Sequence, residues 1–190
     1  MPSSADGFDA AISDALERVR VAARALAPDR VAILIDGRSG AGKTTLAARL
    51  ARTWPGPVQV VALDELYPGW DGLESGAETA RTDILVPWDA GRPARWRRWN
   101  WSTSAPGDEA VTSPDAALII EGSGVLTAAS APLAPIRVWL ESPEDTRRER
   151  ALARDGDTYR PHWERWADQE VRHLDRDDPR SLATIVVAVP

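Results

Sequence analysis

The sequence predicts an α/β fold in three layers, a five-stranded parallel sheet with helices on both of its faces. Three observations lead there. Five short apolar runs, rich in Val and Ile, have the length of buried parallel strands. Stretches with helical periodicity separate several of them. One of the strand–helix junctions carries a glycine-rich loop of defined spacing.

The elements follow in order. An amphipathic helix at about 9–26 uses Ile12, Leu16, Val19 and Leu26 as its inner stripe. Val31–Ile35 is the first strand, and a helix over 43–53 follows, with Leu46, Leu50 and several alanines at helical spacing. Val58–Leu63 comes after Pro55-Gly56-Pro57 and ends at Asp64. A helix is expected over 74–85. The stretch 86–115 is loop-rich and reads as an insertion into a single domain spanning 1–190. Ala116–Ile120 ends at Glu121-Gly122, and Ile136–Leu140 is the fourth strand. The helix over 143–154 has a defined start, with Ser142 at the N-cap, Pro143 at the first position and Asp145 at the third. A helix over 161–174 and the strand Thr184–Val189 complete the set.

Composition narrows the function. A net charge of −6 argues against a nucleic-acid backbone as the main partner. With no cysteine there is neither a disulfide framework nor a thiolate metal site. Val31–Ile35 and Ile185–Val189 are far too short to cross a bilayer, so no membrane partner is expected. The first 26 residues hold Asp6, Asp9, Asp14 and Glu17 and lack the apolar core of a secretory signal. A cytoplasmic location is the expectation.

The chemistry starts at Gly37-Arg38-Ser39-Gly40-Ala41-Gly42-Lys43-Thr44-Thr45, a complete phosphate loop between strand and helix. Its glycines let the backbone wrap an anion, so that successive N–H groups and the helix dipole point at phosphate oxygens. Lys43 is positioned to reach the β- and γ-phosphates, and the Thr44 hydroxyl to ligate Mg²⁺. Of 23 basic residues it is the single lysine, placed where a compact ammonium serves better than a planar guanidinium. The loop implies nucleotide binding and leaves the reaction open. A guanine-reading Asn/Thr-Lys-x-Asp motif is excluded because there is no second lysine, and no Ser-Gly-Gly transporter signature is present.

Three further segments carry a resemblance. They are Leu63-Asp64-Glu65-Leu66-Tyr67-Pro68-Gly69-Trp70, Leu118-Ile119-Ile120-Glu121-Gly122, and the series Arg147, Arg148, Arg150, Arg154 and Asp155. With the phosphate loop they resemble the uridine kinase-like branch of the phosphate-loop kinases, over close to half of the chain. The resemblance implies a strand order of 2-3-1-4-5 and ATP with Mg²⁺ as cofactors. It implies that Asp64 touches the acceptor hydroxyl and that Glu121 reaches the Mg²⁺ shell through water. It also implies a lid at about 143–160 in which Arg150 and Arg154 clamp the transferring phosphate. In such kinases a loop after the fifth strand often packs on the base. Here the sequence stops at Pro190, which leaves the preferred nucleotide open. The residues after Tyr67 match no nucleoside-reading pattern.

The expected function is therefore transfer of the γ-phosphoryl of ATP to a hydroxyl of a small molecule, with a nucleoside as the first choice. Alternatives stand beside it. One is an acceptor that already bears a phosphate, held by Arg92–Arg98. Another is a nucleotide-binding regulator or ATPase in which Asp64 and Glu121 only organise metal and water. Trp88, Trp96, Trp99 and Trp101 interleave with Arg92, Arg95, Arg97 and Arg98. That pattern suits a hairpin packing its aromatics inward, a wall for a planar or sugar-like acceptor, or base stacking on a single strand, which the net charge disfavours. His162 and His173 lack metal-ligand spacing and are not expected in catalysis.

Overall fold

A computed structural model describes residues 4–26 and 30–190. Its central sheet consists of β1 (Ala32–Gly37), β2 (Val58–Ala62), β5 (Ala117–Glu121), β6 (Ile136–Glu141) and β7 (Ile185–Ala188), all parallel. The hydrogen-bonded order is β2-β5-β1-β6-β7. A separate antiparallel pair, β3 (Ala94–Asn100) and β4 (Ala105–Thr112), shifts the numbering. Counted without that pair, the sheet runs 2-3-1-4-5 as the resemblance implies.

Side chains on successive strand residues alternate between faces. Ile33, Ile35, Ile119 and Val138 point to one side, where they pack with Ile12, Val19, Leu46 and Leu50 of α1 (Ser4–Arg24) and α2 (Lys43–Thr53). Leu34, Leu118 and Ile120 point to the other. There they meet Leu73 of α3 (Leu73–Thr79), Ile84, and Trp163 and Trp166 of α6 (Trp163–Asp177). β1 and β5 are buried along their whole length, which is why they read as unbroken apolar runs. Among the described residues no helix is long and apolar enough to cross a membrane.

Four local expectations are corrected. The inner stripe of α1 is Ile12, Ala15, Val19 and Ala23, with Leu16 only partly buried. Leu26 is 41% exposed because the helix ends at Arg24. The helix expected over 74–85 widens into a π-turn at Ala80–Leu85 and continues as α4 (Val86–Asp89). The 86–115 stretch is ordered rather than loop-rich. Ala94, Trp96, Ala110 and Thr112 bury the inner face of its hairpin, and the Trp96 indole donates to Thr112 Oγ1 at 3.2 Å. At its tip Asn100 Oδ1 accepts from the Ser102 and Thr103 amides, forming a local turn that needs no glycine. Lastly, Pro143 and not Ser142 occupies the N-cap of α5 (Glu144–Asp155). The Ser142 side chain accepts from Arg150 and its carbonyl from Arg147 Nε at 3.0 Å, so Ser142 anchors arginines instead of capping the helix.

At one edge of the sheet β1 runs into the glycine-rich loop, β2 ends beside Asp64 and β5 ends on Glu121. Ligands of open α/β sheets collect at such carboxyl edges. Leu118 is fully buried in the second strand of this edge. Leu118→Ala should lower unfolding free energy by about 2–5 kcal/mol in a denaturant titration, the usual cost of a large-to-small core change.

Candidate active site

The loop is shaped by two glycines in the left-handed region, Gly40 at φ 80° and Gly42 at φ 104°, the latter capping α2. At Gly40 a Cβ would overlap the backbone of Arg147, so only glycine lets α5 lie this close to the loop. Lys43 folds back over the loop, its Nζ donating to the Arg38 carbonyl and to Ser123 Oγ at 3.2 Å each. Thr44 Oγ1 donates to Glu121 Oε1 at 2.9 Å.

Two buried carboxylates hold this arrangement. Asp36 accepts from the amides of Gly37 (2.6 Å), Gly124 (3.0 Å) and Leu126 (2.8 Å). Glu170, projecting from α6, accepts from the Ser39 amide at 2.5 Å and from Arg38 Nε at 3.0 Å. The Ser123 hydroxyl lies 3.0 Å from Glu170 Oε1 and 3.1 Å from the Gly37 carbonyl, within donating reach of both. From α5, the buried Arg147 donates to the Ser39 carbonyl at 3.1 Å. The loop is thus tied to β5, α5 and α6 at once.

Beside the loop opens a cavity of about 570 Å³. Its lining combines the polar side chains of Lys43, Thr44, Asp64, Glu121 and Arg154 with an aromatic wall of Tyr67, Trp70, Trp101, Tyr159 and Trp166. Trp70 is the hub of that wall. Its ring stacks on His162 (4.3 Å) and on Tyr159 (5.4 Å), and lies 4.8 Å from Trp101. The Trp101 indole donates to the Asp64 carbonyl at 2.7 Å, which brings the hairpin tip onto Asp64. Gln169 of α6 fixes the Trp70 carbonyl at 2.7 Å.

The electrostatics follow from crowding and neighbours. Asp64 reaches solvent through the cavity mouth, yet the protein packed around it raises its pKa above the ordinary 3.8, against the pull of Lys43 and Arg154. Burial likewise raises Glu121, with Lys43 opposing and Asp64 adding to the shift. Arg154 is held charged by its paired hydrogen bonds to Asp155, at 2.9 and 2.7 Å. Burial pushes Tyr67 upward, and its hydroxyl donates to the Ser123 carbonyl at 2.8 Å.

The structure therefore brings Ser39, Gly40, Lys43, Thr44, Asp64, Glu121 and Arg154 around one cavity. Gly37 and Ala41 shape the loop from beneath, Gly37 through Asp36 and Ala41 by complete burial. Arg150 is set apart. It lines a second, smaller cavity with Gly42 and Thr45, its guanidinium 4.9 Å over the Phe8 ring. The tryptophans also divide: Trp88 and Trp96 are core, while Trp101 faces Asp64's cavity. Sequence reasoning missed Glu170, Ser123, Trp166 and Tyr159. The available signal was an acid and a histidine, Glu170 and His173, on the otherwise apolar stripe of α6 shared by Trp163 and Trp166.

No family model matches the sequence, and no curated protein does. Solved structures show the fold. A candidate uridine kinase from Bacillus stearothermophilus aligns with TM-score 0.60 at 20% identity, covering 83% of this chain and 88% of that one. A candidate fructose transport system kinase from Silicibacter sp. TM1040 aligns with TM-score 0.57 at 17% identity, covering 92% and 98%. The chain shares the three-layer α/β fold of these two proteins.

His173 makes the site's support pH-dependent. Burial alone depresses its pKa, but hydrogen bonds and charge from Asp36 (3.1 Å) and Asp177 (3.0 Å) outweigh this and hold it above 6.5. A raised pKa adds stability that is complete below the unfolded value and is lost as pH rises through the folded one. Melting temperature should therefore fall as pH climbs upward from 6.5. His173→Asn should flatten that slope.

Proposed function

We propose that this chain is a Mg²⁺-dependent kinase that moves the terminal phosphoryl of ATP to a hydroxyl of a small, ring-bearing acceptor, a nucleoside being the first candidate. The observation that carries the reading is a single cavity that brings Lys43, Arg154 and Asp64 together with the aromatic rings around Trp70.

In this reading Asp64 accepts the proton of the acceptor hydroxyl, whose oxygen attacks the γ-phosphorus while the bond to the β–γ bridging oxygen breaks and ADP leaves. The raised Asp64 pKa brings the carboxylate closer to the range in which a base is effective. Lys43 and Arg154 offset charge on the transferring group, and positioning does the rest. Thr44 and Glu121 are an adjacent pair of hard oxygen donors, which fits Mg²⁺, an ion that binds one or two protein oxygens and keeps waters and phosphate oxygens for the rest. When bound it neutralises phosphate charge.

An unphosphorylated acceptor is favoured over a phosphorylated one. Arg95 and Arg98 pair with Glu109 and Glu65, Arg97 bonds the Gly107 carbonyl, and none lines the cavity. Asp64→Asn should lower kcat by about 10²–10⁴-fold with little change in ATP affinity, read by acceptor-dependent ADP release. Unchanged kcat would remove Asp64 as the base. Lys43→Arg should cripple turnover although charge is kept, because the planar fork cannot replace a compact ammonium between the Arg38 carbonyl and Ser123.

A further inference from the structure

We infer that α1 supplies the platform for the nucleobase of the donor, through Phe8 and the Arg150 guanidinium that lies over its ring. The inference rests on the reading of the loop as a nucleotide site and names where the planar ring of that nucleotide lies.

The two cavities at the loop have only Gly40, Lys43, Thr44 and Arg154 in common. These are the residues expected around the phosphates. What each cavity holds alone must then recognise the two ends of the reaction. The larger one leads to Asp64 and the aromatic wall, the acceptor's end. The smaller one, about 150 Å³, leads away past Gly42 and Thr45 to Phe8 and Arg150. That side remains for the nucleoside part of the donor.

Its chemistry suits a flat, electron-delocalised ring. Phe8 is only partly buried and lies against the loop, with ring carbons 3.1 and 3.2 Å from where a Cβ on Gly42 would stand. Arg150 lies over that ring, and among the described residues no carboxylate pairs with it. Its Nε donates to the Thr146 carbonyl at 3.2 Å and its Nη2 to Ser142, while its buried Nη1 has no hydrogen-bond partner. A planar guanidinium without an acid and an accessible aromatic ring both stack on bases. The platform is rigid, since α1 is held to α2 by Asp9 and Arg49 at 2.5 Å and to β7 by Arg18 on the Val186 carbonyl at 2.9 Å.

Calorimetric titration of the full chain with Mg-ATP and with Mg-tripolyphosphate tests this. Tripolyphosphate has the phosphates and no ring. Phe8→Ala and the bulkier Phe8→Leu should weaken ATP binding roughly tenfold, the usual scale of one base–aromatic stack, and leave tripolyphosphate binding unchanged. Phe8→Trp should keep ATP affinity. Equal weakening of both ligands would show that α1 only supports the loop, and unchanged ATP binding would show that the ring lies elsewhere; either overturns the platform. Wild-type protein that binds neither ligand would overturn the nucleotide-site reading itself.

Discussion

A phosphate loop is a row of backbone donors converging on one point, and something must hold it in that shape. Here two buried carboxylates do so. Asp36 gathers the amides of Gly37, Gly124 and Leu126 under the loop, and Glu170 takes the Ser39 amide and Arg38 from the side. Leaving such buried donors unpaired costs about 1–3 kcal/mol each, so the loop's geometry depends on these acids. Both acids depend in turn on α6, which carries Glu170 itself and the His173 that bonds Asp36.

The same helix reaches the other half of the site. Trp166 forms part of the aromatic wall, Gln169 anchors Trp70, and Glu170 and His173 brace the loop. One rigid element therefore sets both the glycine-rich loop and the aromatic wall of the cavity. The arginines of α5 divide by burial and partner. Arg147 is a buried tie to Ser39, Arg154 faces the acids with Asp155 at its back, and Arg150 turns toward α1. The single lysine makes sense in this setting, because its Nζ sits between a carbonyl and a hydroxyl where a guanidinium would not fit.

Much of this was legible in the sequence because it is written locally. The sheet strands appear as continuous apolar runs since both faces are covered, the loop and Thr44 follow from motif spacing, and Asp64 and Glu121 are singled out by the resemblance of the segments at two strand ends. The helix over 43–53 matches α2, whose start is set by Gly42. What escaped depends on long-range contact. Glu170 acts 131 residues away from Ser39, and His173 lies 137 residues from Asp36, so no local pattern links them. The Trp/Arg alternation suits a hairpin, but its second strand could not be placed, because β4 begins Ala105-Pro106-Gly107, a poor strand sequence that holds its conformation by pairing Ala105 with Asn100 and Pro106 with Trp99. The Ser142 cap failed for a local reason, since Arg147 and Arg150 of the helix that follows claimed its oxygens.

In the proposed reaction a phosphoryl group passes from a nucleotide on the glycine-rich loop to an unphosphorylated hydroxyl held by the aromatic wall. The most direct measurement is phosphorus NMR of purified protein with Mg-ATP and pools of nucleosides, sugars and other ring-bearing alcohols, with the matching phosphate esters run in parallel. A new phosphomonoester resonance, with ADP formed in equal amount, is expected in a pool of unphosphorylated acceptors. Inorganic phosphate as the sole product in every pool, or product only from the phosphorylated acceptors, would contradict it.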